Sequence, residues 1–453
     1  MKRAFIAFSI LFLCLSASAQ EKSKDIVKTG LNFGPLPAVA YDADKGFQAG
    51  AILQIFDYGD GHNYPNYNSK LYFEASFFTK GSQLYQVRYD NKELIPGVRW
   101  SSAFRANLDK AYDFYGFNGY QSNFNYDLVA KGKDKASDFQ MFTPFYRMGR
   151  NEFLFKSDFL GTINEHLQWE AGVFANYFKI GTINRDSINK GKDDAKKYTY
   201  PTTLYDEYVK FGVLDAKEAD GGFASGLRAG MVYDSRDKEG APTRGIWAEG
   251  HLIAALPYIS ETPYYRYSFT WRHYLPLVKN DVLTFAYRLN YEGTFGNNAP
   301  FYALPYMSVM GEKQDLEGMG GFFTVRGLMR TRVVGLDMAT YNAEFRWRFA
   351  KFHIGKQNIA LGLSAFSDGT MVTRGRDISV LMPVTSEAGS LVNNVEKDRP
   401  HITFGGGFRF IMNENFIVAA EYGTPLSHFV DKSNPIYNQD GTGAFYINLG
   451  YLF

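Results

Sequence analysis

Residues able to do chemistry are sparse in this chain and poorly grouped. The seven histidines, His62, His166, His251, His273, His353, His401 and His428, include no close pair at metal-ligand spacing. Asp234 and Asp237 could work as an acid pair, but Asp234-Ser235-Arg236-Asp237 is followed by Pro242-Thr243-Arg244-Gly245. Carboxylates in such a turn hold their own backbone and, here, Arg236. Gly405-Gly406-Gly407 falls inside a strand pattern, where glycines permit sharp bending or close approach rather than cradle a phosphate. Neither a Gly-x-Ser-x-Gly elbow nor a Walker loop occurs. The pattern therefore predicts no catalytic residue, no metal site and no cofactor. What stands out instead is one cation, Arg326, in the stretch Gly320-Gly321-Phe322-Phe323-Thr324-Val325-Arg326-Gly327-Leu328. A loop that merely faced water would need neither Phe322-Phe323 nor Val325. A loop folded back on a protein wall would, and its arginine would then need an acidic partner.

The elements around this loop alternate with period two. Tyr265, Tyr267, Phe269, Trp271 and Leu275 share one face, opposite Arg266, Ser268, Thr270 and Arg272. Leu283, Phe285, Tyr287, Leu289 and Tyr291 alternate with Thr284, Arg288, Asn290 and Glu292, and Tyr341, Ala343, Phe345, Trp347 and Phe349 with Asn342, Glu344, Arg346 and Arg348. Phe445, Ile447, Leu449, Tyr451 and Phe453 close the chain in the same rhythm. Segments of about ten residues suit tilted bilayer-spanning strands. Their polar face, carrying arginines and glutamates, suits a wet lumen, and such strands must close because an open edge in lipid leaves backbone groups unpaired. The expected fold is all-β: a transmembrane antiparallel barrel. Short turns at Ile163–His166, Asp237–Arg244, Pro276–Asn280, Lys351–Asn358 and Asn413–Asn415 alternate with long connections, as periplasmic turns alternate with extracellular loops. The sheet is expected to begin at Phe47–Tyr58, Lys70–Lys80 and Gln83–Asp90; between Trp100 and Gly161 no strand boundary can be read.

Composition agrees. Aromatics make up 17% of the 453 residues, with 32 Tyr and 40 Phe, as interfacial girdles require. Met1-Lys2-Arg3, an apolar run to Leu15 and Ala17-Ser18-Ala19 have the layout of a secretory signal peptide over residues 1–19. Cys14, the only cysteine, lies in that apolar run behind a bulky Leu13, which argues against a lipid anchor. Loss of Lys2 and Arg3 brings the basic residues level with the 47 acidic ones, and this neutral balance disfavours nucleic acid as a partner. Residues 20–29 are expected to be a short polar leader and 30–453 a single barrel domain.

Val325-Arg326-Gly327 resembles the loop signature of the BamA/TamA superfamily of outer-membrane barrels. Asn342, Glu344 and Arg346 resemble that family's Asn-x-Glu-x-Arg strand, Phe366-Ser367-Asp368-Gly369 its Phe-x-Asp-x-Gly, and Asp234–Gly245 its Asp-x-Arg-Asp…Pro-Thr-x-Gly turn. Gly405–Gly407, Glu421 and the terminal Phe453 add to the match. Leu328 stands where the family has Phe or Tyr, and Thr370 where it has a second Gly. The resemblance implies 16 strands and a large sixth loop tucked into the lumen, its Arg326 meeting Asp368 on strand thirteen, with Glu344 nearby. It implies location in the outer membrane of a Gram-negative bacterium, contact with its lipid, and help in inserting or translocating unfolded protein clients through a seam between first and last strands. The expected seam is Phe47–Tyr58 against Ala444–Phe453, with Gly46, Gly50, Gly450 and Phe453 as candidate seam residues. The chain shows no room for the periplasmic POTRA domains of characterised members, so an accessory periplasmic subunit is a possible partner. The competing expectation is a passive channel or structural accessory barrel with no insertase role.

Overall fold

The computed structural model describes residues 26–42, 46–79, 81–126, 129, 143–278, 281–382, 385–386, 389–414, 416–449 and 452–453. The expected signal peptide at 1–19 and the candidate seam residue Gly450 lie outside the described residues. Sixteen strands form one antiparallel sheet in chain order. They are β1 (Leu31–Asp42), β2 (Gly46–Asp57), β3 (Ser69–Phe78), β4 (Gln83–Ile95), β5 (Val98–Asp113), β6 (Arg147–Thr162), β7 (Leu167–Gly181) and β8 (Gly221–Asp234). After these come β9 (Gly245–Ala255), β10 (Tyr264–Val278), β11 (Leu283–Phe295), β12 (Asp337–Ile354), β13 (Gln357–Arg374), β14 (His401–Met412), β15 (Phe416–Pro425) and β16 (Ala444–Leu449). β1 comes to lie beside β16, so the sheet curls into a barrel.

The period-two pattern sorts the wall. Phe73, Phe104, Val173, Leu252, Phe269, Phe345 and Phe408 point outward as an apolar band, while Arg266, Arg288, Asn290, Glu292, Glu344, Arg346 and Arg409 are buried inside. No helix among the described residues is long and apolar enough to cross a membrane; the strands do the crossing, and β1 to β15 are each at least as long as the tilted path through a bilayer of about 30 Å needs. Several strands run past the turns expected from sequence. β12 and β13 continue to Ile354 and from Gln357, leaving a two-residue turn where a longer one is expected.

The edge of the sheet differs from expectation. β1 precedes the segment containing Gly46 and Gly50, so those two glycines lie on β2, one strand in from the seam. Pro35 and Pro37 mask β1 in the sequence, because proline reads as a break in a strand pattern. An edge tolerates it. Tyr58 N–H donates to Gly30 O (3.0 Å), and the β1–β2 register runs from there without a shift. Even-numbered residues of β1 therefore bond to β2, and the odd-numbered ones, both prolines included, turn their backbone toward β16.

Both rims are covered. At the long-loop rim, residues from four connections build an aromatic and aliphatic core, with Phe117, Tyr208, Phe301, Tyr302, Leu381 and Leu391 all buried. Phe114 meets Tyr208 edge to face at 5.3 Å. Within this cap lies α1 (Arg185–Asn189), followed by α2 (Leu204–Lys210), which starts on a capping box from Thr203 and Asp206. At the short-turn rim, the β8–β9 turn crosses the mouth. Glu239 pairs with Lys92 of β4 (2.6 Å), while Ala241 O accepts from Arg348 Nη2 of β12 (3.2 Å).

Candidate functional site: the lumen loop and the seam

The connection between β11 and β12 drops into the barrel. Its arginine side chain is fully buried, as is the Asp368 side chain on β13. Arg326 Nε donates to Asp368 Oδ2 at 2.8 Å and Nη2 to Oδ1 at 3.0 Å, a bidentate fork, and the backbone N–H of Arg326 also donates to Oδ2 at 3.0 Å. Nη1 reaches Glu344 Oε2 on β12 (2.6 Å) and Glu421 Oε1 on β15 (2.9 Å). The Phe366 ring lies 3.6 Å from the guanidinium carbon.

Three buried carboxylates around one arginine would leave net negative charge in a medium that penalises it. Two more arginines complete the balance. Arg409 of β14 pairs with Glu344 (2.7 Å) and Glu421 (2.6 Å), and Arg346 of β12 with Glu344 (2.8 Å). The loop backbone is bound as well. Thr324 O accepts from Asn342 Nδ2 (2.7 Å), and Gly327 N–H donates to the Tyr446 hydroxyl (3.1 Å). Gly327 sits at φ +88°, and a Cβ there would fall 2.5 Å from the Gly423 carbonyl carbon. Only glycine lets the loop tip lie flat against β15.

Of the sequence-expected site residues, the structure brings Val325, Arg326, Gly327, Asp368 and Glu344 together; Val325 is buried among Met307, Met319 and Leu328. Sequence reasoning did not pick out Glu421, Arg409 or Phe366 as partners, although Glu421 stands on the inward side of its strand. It also passed over Arg330 and Arg332. Arg330 pairs with Asp113 (2.8 Å) and Asp109 (3.0 Å) of β5, while Arg332 donates to the Gln439 and Gly119 carbonyls. Arg326, Arg330 and Arg332 thus fasten one loop to opposite sides of the barrel. An excess of arginine just past the motif was the available signal.

Phe453 also departs from expectation. Among the described residues β16 runs to Leu449, and Phe453 is buried in the lumen against Tyr274, 4.9 Å from the Arg346 guanidinium. The inward arginines of β11 and β12 offer that ring cation–π contacts that lipid cannot. Among the described residues the seam consists of β1 and β16 (Ala444–Leu449), and no hydrogen-bonded ladder joins the two.

A family model described as the Omp85 superfamily domain matches residues 66–453. Among solved structures, BamA from Haemophilus ducreyi lacking POTRA domains 1-3 aligns over 93% of this chain and 70% of its own, at 15% identity and a TM-score of 0.51. CdiB from Escherichia coli aligns over 92% of this chain and 62% of its own, at 8% identity and a TM-score of 0.48. At such identities the likeness to BamA is one of fold. No curated protein sequence matches the chain significantly.

Proposed function

Because the chain belongs to the Omp85 superfamily, whose barrels are outer-membrane transport and assembly proteins, we propose that it assists the insertion of proteins into the outer membrane, or their translocation across it, through the β1–β16 seam. The long loops then face outward and the short turns face the periplasm. The observation that carries this reading is the seam: among the described residues every other pair of neighbouring strands shares a ladder, whereas β1 turns Pro35 and Pro37 toward β16. Each proline withholds one donor, and a backbone hydrogen bond is worth on the order of 1 kcal/mol net. An incoming strand can add to such an edge by β-augmentation, its alternate side chains meeting lipid and lumen. Unfolded outer-membrane or secreted proteins are the client class, and a periplasmic subunit is a candidate partner. The reading assigns no catalytic residue.

The alternative, a passive channel or structural accessory barrel, is disfavoured as an open pore by the packed aromatic cap and the salt-bridged lumen loop. Reconstitution into liposomes with an unfolded barrel client tests the proposal. Faster client insertion than in protein-free liposomes is the expected result. A steady large conductance in planar bilayers without assisted insertion would favour the channel.

A further inference from the structure

The residues just before β1 do not hang free. Gly30 N–H donates to Gly59 O (2.8 Å), which ties the segment to the β2–β3 turn. Residues 26–29 then run along the short-turn rim to the turn between β12 and β13. There the Asn358 side chain binds both backbone polar groups of Ile26: its Oδ1 accepts from Ile26 N–H (2.8 Å) and its Nδ2 donates to Ile26 O (3.0 Å). The same Nδ2 reaches the Tyr64 hydroxyl of the β2–β3 turn (3.1 Å). Lys28 Nζ donates to the Lys356 carbonyl and to Gln357 Oε1 (3.3 Å). Asn358 is buried, and its own backbone is fixed by Asn413, which accepts from Asn358 N–H (3.0 Å) and donates its N–H to Asn358 O (2.9 Å). Gly61, at φ +88°, makes room: a Cβ there would fall 2.7 Å from Lys28 O.

The placement gives these bonds their meaning. Going round the barrel from β1 across the seam, the order is β16, β15, β14, β13. The segment therefore joins the strand on one side of the seam to a turn four strands beyond it on the other side. We propose that residues 26–30 form a clasp, closed on the Asn358 amide, that holds shut the β1–β16 seam, across which no ladder is seen among the described residues. Outward movement of β1 must pull Ile26 and Lys28 off Asn358, Lys356 and Gln357. This rests on the seam reading of function only in that the seam is the part that opens.

The test measures the seam directly. Cys14 is the only cysteine, within the expected signal peptide, so spin labels at Val39→Cys on β1 and Phe445→Cys on β16, both outward-facing, report one distance. With an intact clasp, a single short distance is expected in lipid nanodiscs. In Asn358→Ala and in Lys28→Ala, a longer-distance population is expected to rise about tenfold, the effect of one or two hydrogen bonds on a two-state equilibrium. Distance distributions unchanged in both variants would overturn the clasp. Heat-modifiable gel mobility reports folding. If Asn358→Ala does not fold, Lys28→Ala decides alone, and a distance distribution unchanged in it overturns the clasp. Client insertion is scored separately. Widened seams with insertion at the protein-free rate would sink the insertase reading and leave the clasp standing. Insertion blocked by a β1–β16 crosslink, with clasp variants at the native distance, would do the reverse.

Discussion

Gly327 of the lumen loop and Gly423 of β15 meet backbone to backbone. A Cβ on Gly327 would fall 2.5 Å from the Gly423 carbonyl carbon, and one on Gly423 would fall 2.9 Å from the Arg326 carbonyl. This close approach lets Arg326 sit at the height where Asp368, Glu344 and Glu421 converge. Gly327→Ala should therefore release the loop tip with no change of charge. Proteolysis of the loop in the folded barrel is the measurement, and cleavage as slow as in the parent would contradict the packing argument.

Arg326→Ala removes the cation but leaves its carboxylates buried. Breaking such a pair from one side costs about 3–5 kcal/mol. Faster loop proteolysis and a lower unfolding midpoint in urea are expected. Arg326→Lys keeps the charge yet loses the bidentate fork, so its midpoint should fall between those of the parent and the alanine variant.

Restoring donors to the edge should strengthen the seam. Pro35→Ala and Pro37→Ala each return one outward N–H to β1, worth on the order of 1 kcal/mol if β16 accepts it. Slower hydrogen exchange in β16 is the expected readout, along with slower client insertion. Exchange in β16 at the parent rate in both variants would show that the prolines are not what keeps the edge unpaired.

The β8–β9 turn carries an acid-sensitive lock. Burial pushes the Glu239 carboxyl up, but Arg99 and Lys92 outweigh it and bring it from 4.5 down to about 2. A carboxyl lowered on folding contributes stability that is complete above its unfolded value and lost as pH falls through its folded one. The turn should resist pepsin at about pH 4 and become cleavable near pH 2, whereas Glu239→Gln should be cleavable at both. Equal resistance of the variant at the higher pH would remove Glu239 from the lock.

Much of the wall was legible because alternation is a local signal. Phe285 and Arg288, or Phe345 and Glu344, declare their faces by parity alone, and β11 and β12 follow. β1 was not legible, since Gly34-Pro35-Leu36-Pro37 looks like a loop unless the strand is known to be an edge. The family resemblance implied the pairing of the loop arginine with Asp368, and the parity of Asp368 agreed with it. Glu421, 95 residues from Arg326, and Arg409 on the strand between carry no local mark of that meeting.

The sequence by itself determined that this chain builds an aromatic-belted barrel and sends a cationic, apolar loop inside it. Side-chain parity and the cost of an unpaired buried charge act within a few residues or between any two that match. Only the tertiary structure decided which strand is the edge, how three arginines and three carboxylates share one site, and that Phe453 turns inward. It alone places Ile26 against Asn358, a contact across 332 residues. These relations depend on how a closed sheet brings distant strands together, and that geometry exists only once every strand is in register.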